Sequence, residues 1–391
     1  MKKSLVVFLI FLCALSLILG ACRGRTGLET GSVSDQAAVE VEASEDASAS
    51  DSPADSASKN DSPPRTISAK LEENLSIDAL VNAPDRADIA LPCVSARLLC
   101  ADAEQACRVL FPGVTVQREV NYDGSDSRSF ELEGERYLTV GSGTISGEAP
   151  LGEVVTQLYA LEGILNDETL RQPDLDFASR DEVIQNMLAD LAELGLDNVR
   201  CAKAYALSAE YLQSTSDDML SQPDLAEDIR GNRIAFKDTW TKDDECYVLK
   251  MQYVVGDDEL PVFVDNTAKS YSFTEVHYEN YTLEAVVSKD GIESIRAFRA
   301  FETLEAGPAE AIISPDDVVK LISDYYQNLI VEYPTEIREI TLNYILLPVE
   351  GENAYELMPS WCCRAESQYG SADEYETSWI VFDAITGQVH Y

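Results

Sequence analysis

Between Arg23 and Thr66 the chain contains no aromatic side chain and no regular apolar period. Ser, Ala, Asp, Glu, Gly and Pro dominate, as in "EASEDASASDSPADSASKNDSPP". Such a stretch buries too little apolar surface to offset its ordering entropy, so it reads as a disordered tether. Any fold must then be built from the last 325 or so of 391 residues, enough for two or three units of ordinary size. A flexible tether of this length spans roughly 35 Å, and its repelling carboxylates lengthen it.

Met1-Lys2-Lys3 precedes the tether, followed by an apolar run from Leu5 to Leu19. A helix of that length spans roughly 22 Å, short of the ~30 Å of hydrocarbon in a bilayer, which favours a secretory signal over a transmembrane helix. The run closes on Leu19-Gly20-Ala21-Cys22. That tetrad resembles the bacterial lipobox. The resemblance implies cleavage before Cys22 and a covalent diacylglyceryl group on its sulfur, holding the chain at the outer face of the cytoplasmic membrane. No other cofactor is expected.

The net charge is −41, and losing Lys2 and Lys3 with the signal would make it more negative. That excludes nucleic acid, whose binding rests on cationic neutralisation of phosphates. It also disfavours anionic lipid headgroups, and it suits solubility at a polyanionic cell surface. Beyond Cys13 and Cys22, seven cysteines remain: Cys93, Cys100, Cys107, Cys201, Cys246, Cys362 and Cys363. An odd number cannot pair completely within one chain, and no close C-x₂₋₄-C pair marks a zinc site. Free thiols acting as small apolar residues are expected, with one or two disulfides as the alternative and no metal.

Along the folded part, residues 67–148 read as strands with one helix. "SAKLEENLSIDALVN" reads as one long strand and "CVSARLLC" as another. Asp102 and Gln105 suggest a capped helix ending at Pro112-Gly113, and Asp123-Gly124 a hairpin turn. "LGEVVTQLYALEGIL" carries a helical apolar stripe. "SRDEVIQNMLADL" from Ser179 and "SPDDVVKLISDYY" from Ser314 share a Ser cap, acids in the first turn and Val at the same offset. Each leads into strands, "VRCAKAYALSAEYL" and "IREITLNYILL", with a further hairpin at Asp290-Gly291. The expectation is therefore α+β: tandem helix-plus-antiparallel-sheet units after the tether. The boundaries are a signal at 1–21, a linker at 22–66, a mostly-β region at 67–148, a first unit at 149–304 with an insertion near 210–240, and a second unit at 305–391.

The closing "MPSWCCRAE…WIVFDAITGQVHY" resembles the end of PepSY-type modules and of YycI-like extracytoplasmic regulators. Pro359 and Trp361 match an apolar-Pro-Ala-Trp strand, with Ser360 for Ala, and Asp383, Thr386 and Gly387 match a final Asp-Ala-x-Thr-Gly turn. The layout also resembles uncharacterised surface lipoproteins of Gram-positive, clostridial-type bacteria. The resemblance covers some 80 C-terminal residues and implies binding or regulation rather than catalysis. Physically, Asp383 and Thr386 suit a turn stapled by side chains, and Gly387 a positive φ.

Catalytic signals are sparse. The two histidines are His277, in an alternating run, and His390, the penultimate residue. "KDDE" at 242–245 and "GDDE" at 256–259 flank a ten-residue strand, so they stand ~33 Å apart, too far for a glycosidase pair at ~5–9.5 Å. "NYDGSDS" offers oxygens at Asn121, Asp123 and Ser125 without the Gly and Glu offsets of a calcium loop. Trp240, Tyr247, Tyr253, Trp361 and Trp379 suit packing better than a ligand groove. The expectation is a membrane-anchored extracytoplasmic lipoprotein, a non-catalytic binding or regulatory module with an extracytoplasmic protein partner. The alternatives are a carboxylate-dependent hydrolase of wall or dietary polymer, or a solute-binding lipoprotein.

Overall fold

Alternating runs dominate the folded part, and they form strands. The computed structural model describes residues 65–84, 89–121, 127–162, 168–171, 174–263, 283–327, 329–349, 354–368 and 375–390. The signal, Leu19, Gly20, Ala21, Cys22 and the tether lie outside the described residues, as do His277, Asp123 and Ser125. In chain order the elements are β1 (Arg65–Glu72), β2 (Leu75–Asn82), β3 (Ala90–Leu98), α1 (Ala103–Leu110), β4 (Val116–Asn121), β5 (Arg128–Leu132), β6 (Arg136–Gly141) and β7 (Thr144–Glu148). There follow α2 (Pro150–Glu162), α3 (Arg180–Glu193), β8 (Val199–Leu207), α4 (Ala209–Ser221), α5 (Pro223–Arg230), β9 (Cys246–Val255), β10 (Leu260–Phe263), β11 (Leu283–Ser288) and β12 (Gly291–Phe298). The chain closes with β13 (Phe301–Ala311), α6 (Pro315–Tyr326), β14 (Thr335–Pro348), β15 (Tyr355–Gln368) and β16 (Tyr375–Asp383).

The expectation of tandem helix-plus-sheet units is overturned. Among the described residues, all 16 strands join one hydrogen-bonded network with two wings. The first wing is antiparallel throughout, in the order β8-β9-β11-β12-β7-β6-β5-β4. The second is built on the long β14–β15 hairpin and draws its other strands from both ends of the chain. β2 runs parallel to the start of β14, and β3 lies between β13 and the start of β15. Short β10 bridges the wings, antiparallel to β9 and parallel to β14. The two capped helices do form, with Ser179 and Ser314 accepting from the N–H of Glu182 and Asp317. They are similar local solutions within one strand network, because a cap is decided by a few residues and strand pairing is not.

Two local readings are also corrected. "SAKLEENLSIDALVN" is a hairpin, β1–β2, turning at Glu73-Asn74. The turn returns the chain so that Ile67 joins Leu75, Ile77, Ala79 and Val81 in the core. "VRCAKAYALSAEYL" stops being a strand at Ser208, whose hydroxyl accepts from Tyr211 N–H and starts α4. The competition between strand and N-cap is won by the serine oxygen.

β9 sets the layering of the first wing. Tyr247, Leu249, Met251 and Tyr253 point to the main core with α1 and α3. Cys246 and Val248 point the other way, to a second cluster with α2, α4 and Trp240. Helices therefore cover both faces, and the strand alternation decides which residues meet them.

The C-terminal motif is structural. Trp361 is fully buried, and its indole N–H donates to Ile313 O at 3.0 Å. Pro359 sits in a central strand, where a missing N–H is normally costly. It falls between the part of β15 paired with β3 (Tyr355–Leu357) and the part paired with β16 (Ser360–Gln368), so no ladder bond is lost to β3 or β16. Asp383 Oδ1 accepts from Ile385 and Thr386 N–H, and Oδ2 from the Thr386 hydroxyl. Gly387 has φ of 76°, and a Cβ there would lie 3.1 Å from Leu321 and 3.2 Å from Ile313. Gly387→Ala is expected to destabilise the protein by about 1–2 kcal/mol, from the left-handed backbone and the crowding. Urea unfolding measures it, and an unchanged midpoint refutes it.

Candidate functional site: a polar shelf and an apolar groove on one sheet

The first wing places a polar shelf on one face and an apolar groove at its far corner on the other. The shelf begins with Lys250, a lone charge inside the apolar strand "CYVLKMQYVV". Its parity with Cys246 and Val248 puts it on the α2 side, where the apolar cluster ends. Register places Lys203 and Glu284 on either side of Lys250, and Arg296 beyond Glu284. With strands ~4.8 Å apart, the row from Lys203 to Arg296 spans ~14 Å.

The shelf is tightly bonded. Lys250 Nζ lies 2.6 Å from Glu284 Oε1, and the Tyr159 hydroxyl of α2 donates to Glu284 Oε2 at 2.8 Å. Lys250 also stands 5.1 Å from the Tyr159 ring centroid. Arg296 Nη2 pairs with Glu148 at 3.0 Å. With the Gln252 amide oxygen turned toward it, the Arg200 guanidinium donates from Nε at 2.7 Å and Nη2 at 2.5 Å. Burial opposes ionisation of Glu284, yet Lys250, Tyr159 and Arg296 hold its carboxyl below the ordinary range. Burial and Glu284 push the Tyr159 hydroxyl far up, so it stays a donor.

The groove lies at the β4–β5 corner on the opposite face. Ala103, Cys107, Phe111, Val114, Val116 and Phe130 line it, with Glu104 and Arg108 on its rim, and its volume is about 400 Å³. Phe111 follows α1, whose N-cap is the predicted Asp102. Arg128 lies 5.2 Å from the Phe130 ring centroid and pairs with Glu119 at 2.9 Å. Among the described residues β4 pairs only with β5, and Val116–Glu119 are exposed.

The residues singled out from sequence fall elsewhere. The two acidic clusters lie at opposite ends of β9, which runs over the intervening ten residues. Trp240, Tyr247, Tyr253 and Trp361 are buried, and Trp379 packs on Phe263 with ring centroids 5.1 Å apart. His390 N–H donates to Val381 O, tying the last residues to β16. The seven cysteines are free thiols. Burial pushes Cys201 and Cys362 up to about 12, which removes thiolate reactivity. Among the described residues no three His, Cys, Asp or Glu side chains converge as metal ligands do. Sequence reasoning missed Glu284, Arg296 and Tyr159, for which no local signal exists, and Lys250, for which one does.

Comparison with known proteins adds the fold alone. No protein family matches the chain. A 225-residue stretch is 22% identical to Protein piccolo of Mus musculus, covering 54% of this chain and only 4% of that protein. An uncharacterized protein from Eubacterium rectale superposes with a TM-score of 0.55 at 16% identity, covering 84% of this chain and 94% of that one. No helix among the described residues is long and apolar enough to cross a membrane.

Proposed function

We propose that the chain is a membrane-anchored extracytoplasmic lipoprotein acting as a non-catalytic binding module, with an extended segment of a protein partner adding to β4. The anchor reading rests on Leu19-Gly20-Ala21-Cys22. The binding reading rests on one observation, the exposed outer edge of β4 beside an apolar groove. An edge strand offers a row of backbone donors and acceptors, and alternate side chains of an added strand supply specificity through pockets. The groove lies on the face that Val116 and Phe130 share, where every second side chain of an added strand points. The charges of β4 are engaged within the sheet, Arg118 with Glu131 and Glu119 with Arg128. Antiparallel two-fold pairing of β4 with its own copy sets like residues opposite one another at the centre, so a different chain is the better occupant.

Cross-linking on intact cells tests this. The wild-type chain is expected to fractionate with membranes and to capture a partner that protects β4 amides from hydrogen exchange. Cys22→Ser is expected to abolish membrane fractionation. Val116→Asp fills the groove with charge. Gln117→Pro stands at the bulge, where no β5 residue pairs, and obstructs the edge. Each is expected to reduce capture at least tenfold with unchanged circular dichroism. Capture indifferent to both variants, or Cys22→Ser fractionating as the parent does, refutes the respective half of the reading.

A further inference from the structure

Beyond Arg296 the shelf row continues across the sheet as Ser146, Thr139 and Ser129, in register on β7, β6 and β5. The row beside it carries Glu148, Tyr137 and Glu131 on the same strands. Strand alternation explains the split: Phe130, Leu132, Leu138, Val140 and Ile145 turn to the main core, so their neighbours in sequence turn to the α2 side. There α2 packs on β11 and β12, whereas the side chains of these two rows all keep some exposure and Tyr137 is 45% exposed. Short Ser and Thr side chains keep the face flat around one large ring. Each carboxylate beside Tyr137 is matched by a guanidinium, Glu131 by Arg118 at 3.7 Å and Glu148 by Arg296 at 3.0 Å, so the two rows balance in charge. The Ser129 and Thr139 hydroxyls bond each other at 3.0 Å. That bond uses one hydrogen and one lone pair, so the two can still both give and take hydrogen bonds. Burial, with the nearby Glu131, Glu135 and Glu153, pushes the Tyr137 hydroxyl up, so it stays a donor.

We propose that the α2-side face of β5, β6 and β7 binds an uncharged polysaccharide chain. The exposed Tyr137 ring offers its π surface to the C–H-lined face of a sugar ring. Glu131 and Glu148, directly opposite Tyr137 on either side, accept from sugar hydroxyls while their arginines hold them in place. The Ser/Thr row suits a ligand whose own hydroxyls both donate and accept, whereas a cation or an anion uses only half of that capacity. From Arg118 on β4 to Arg296 on β12 the platform is five strands wide. At ~4.8 Å per strand it spans ~19 Å, which suits several sugar residues laid across the strands rather than one. A chain with flat, equatorial linkages fits a face without ridges.

Titration calorimetry on the full chain tests the platform with cellohexaose, xylohexaose and mannohexaose, and with glucose as competitor. Saturable binding of at least one hexasaccharide is expected. Tyr137→Ala is expected to weaken it about tenfold or more, while Tyr137→Phe, which keeps the ring, retains most of the affinity. Thr139→Val exchanges a hydroxyl for a methyl of nearly the same shape, and is expected to weaken binding about two- to tenfold, the loss of one hydrogen bond. Both conservative variants keep the side-chain volume, so the outcome does not depend on how the alanine variant folds. No saturation with any hexasaccharide, or equal affinity in wild type and Tyr137→Ala, overturns the proposal. Displacement of the hexasaccharide by an equal concentration of glucose also overturns it, because it shows a single-sugar site. Val116→Asp, on the opposite face of the sheet, is expected to bind the hexasaccharide as the parent does, so this platform and the β4 reading fail separately.

Discussion

Trp361→Ala is expected to destabilise the protein by about 3–5 kcal/mol, the range for emptying a fully buried indole site. Two losses combine. The cavity opens between β15 and α6, where Tyr325 meets Phe382 edge-on with centroids 6.4 Å apart. The Ile313 carbonyl also loses the indole N–H, just before the Ser314 cap of α6. Trp361→Phe separates the terms, because it keeps much of the volume while removing the donor. It is expected to cost about 1–3 kcal/mol, the penalty of a buried acceptor left unpaired plus a small cavity. Urea unfolding of both variants measures the difference. If alanine costs no more than phenylalanine, Trp361 is not packed as described.

Glu284→Leu is expected to cost about 3–5 kcal/mol, because it leaves the Lys250 ammonium buried without its carboxylate and facing Lys203. Lys250→Met combined with Glu284→Leu is expected to recover most of that loss, since exchanging a whole buried pair for apolar side chains is often neutral. A double-mutant cycle in urea reads the coupling. The pH dependence has a definite sign. The folded-state pKa of Glu284 is depressed from an ordinary value of 4.5. Its contribution is therefore present above that value and lost as pH falls through the folded-state pKa. Wild type is expected to lose stability more steeply below pH 4.5 than the double variant. Parallel acid profiles for the two proteins contradict the assignment.

Local features of this fold are legible in the sequence. Asp102, Ser179 and Ser314 cap helices, Asp290-Gly291 turns a hairpin, and Asp383 with Thr386 staples the final turn. Each depends on side chains within a few residues of the backbone they bond. Pairing partners are not legible, because apolar alternation reports that a face is buried and not which strand lies beside it. Nothing near Leu75 names Thr335 as its neighbour, although the two are in register across β2 and β14. The same limit hid half of the shelf. Lys250 stands out in an apolar strand, whereas Glu284 in "TLEAVVSKDG" looks like any solvent-facing strand residue. Its role depends on β11 lying beside β9, which a long intervening segment separates in sequence.

The second wing ties the first described strands to the last ones, with β2 against β14 and β3 against β15. A ribosome must therefore release the chain through β14 and β15 before that half of the sheet can close. Until then β1 to β3 present unmatched edges, and the delayed, long-range pairing makes folding slow. A chain whose sheet closes so late keeps apolar strands uncovered for longer, so its yield on refolding depends on protein concentration.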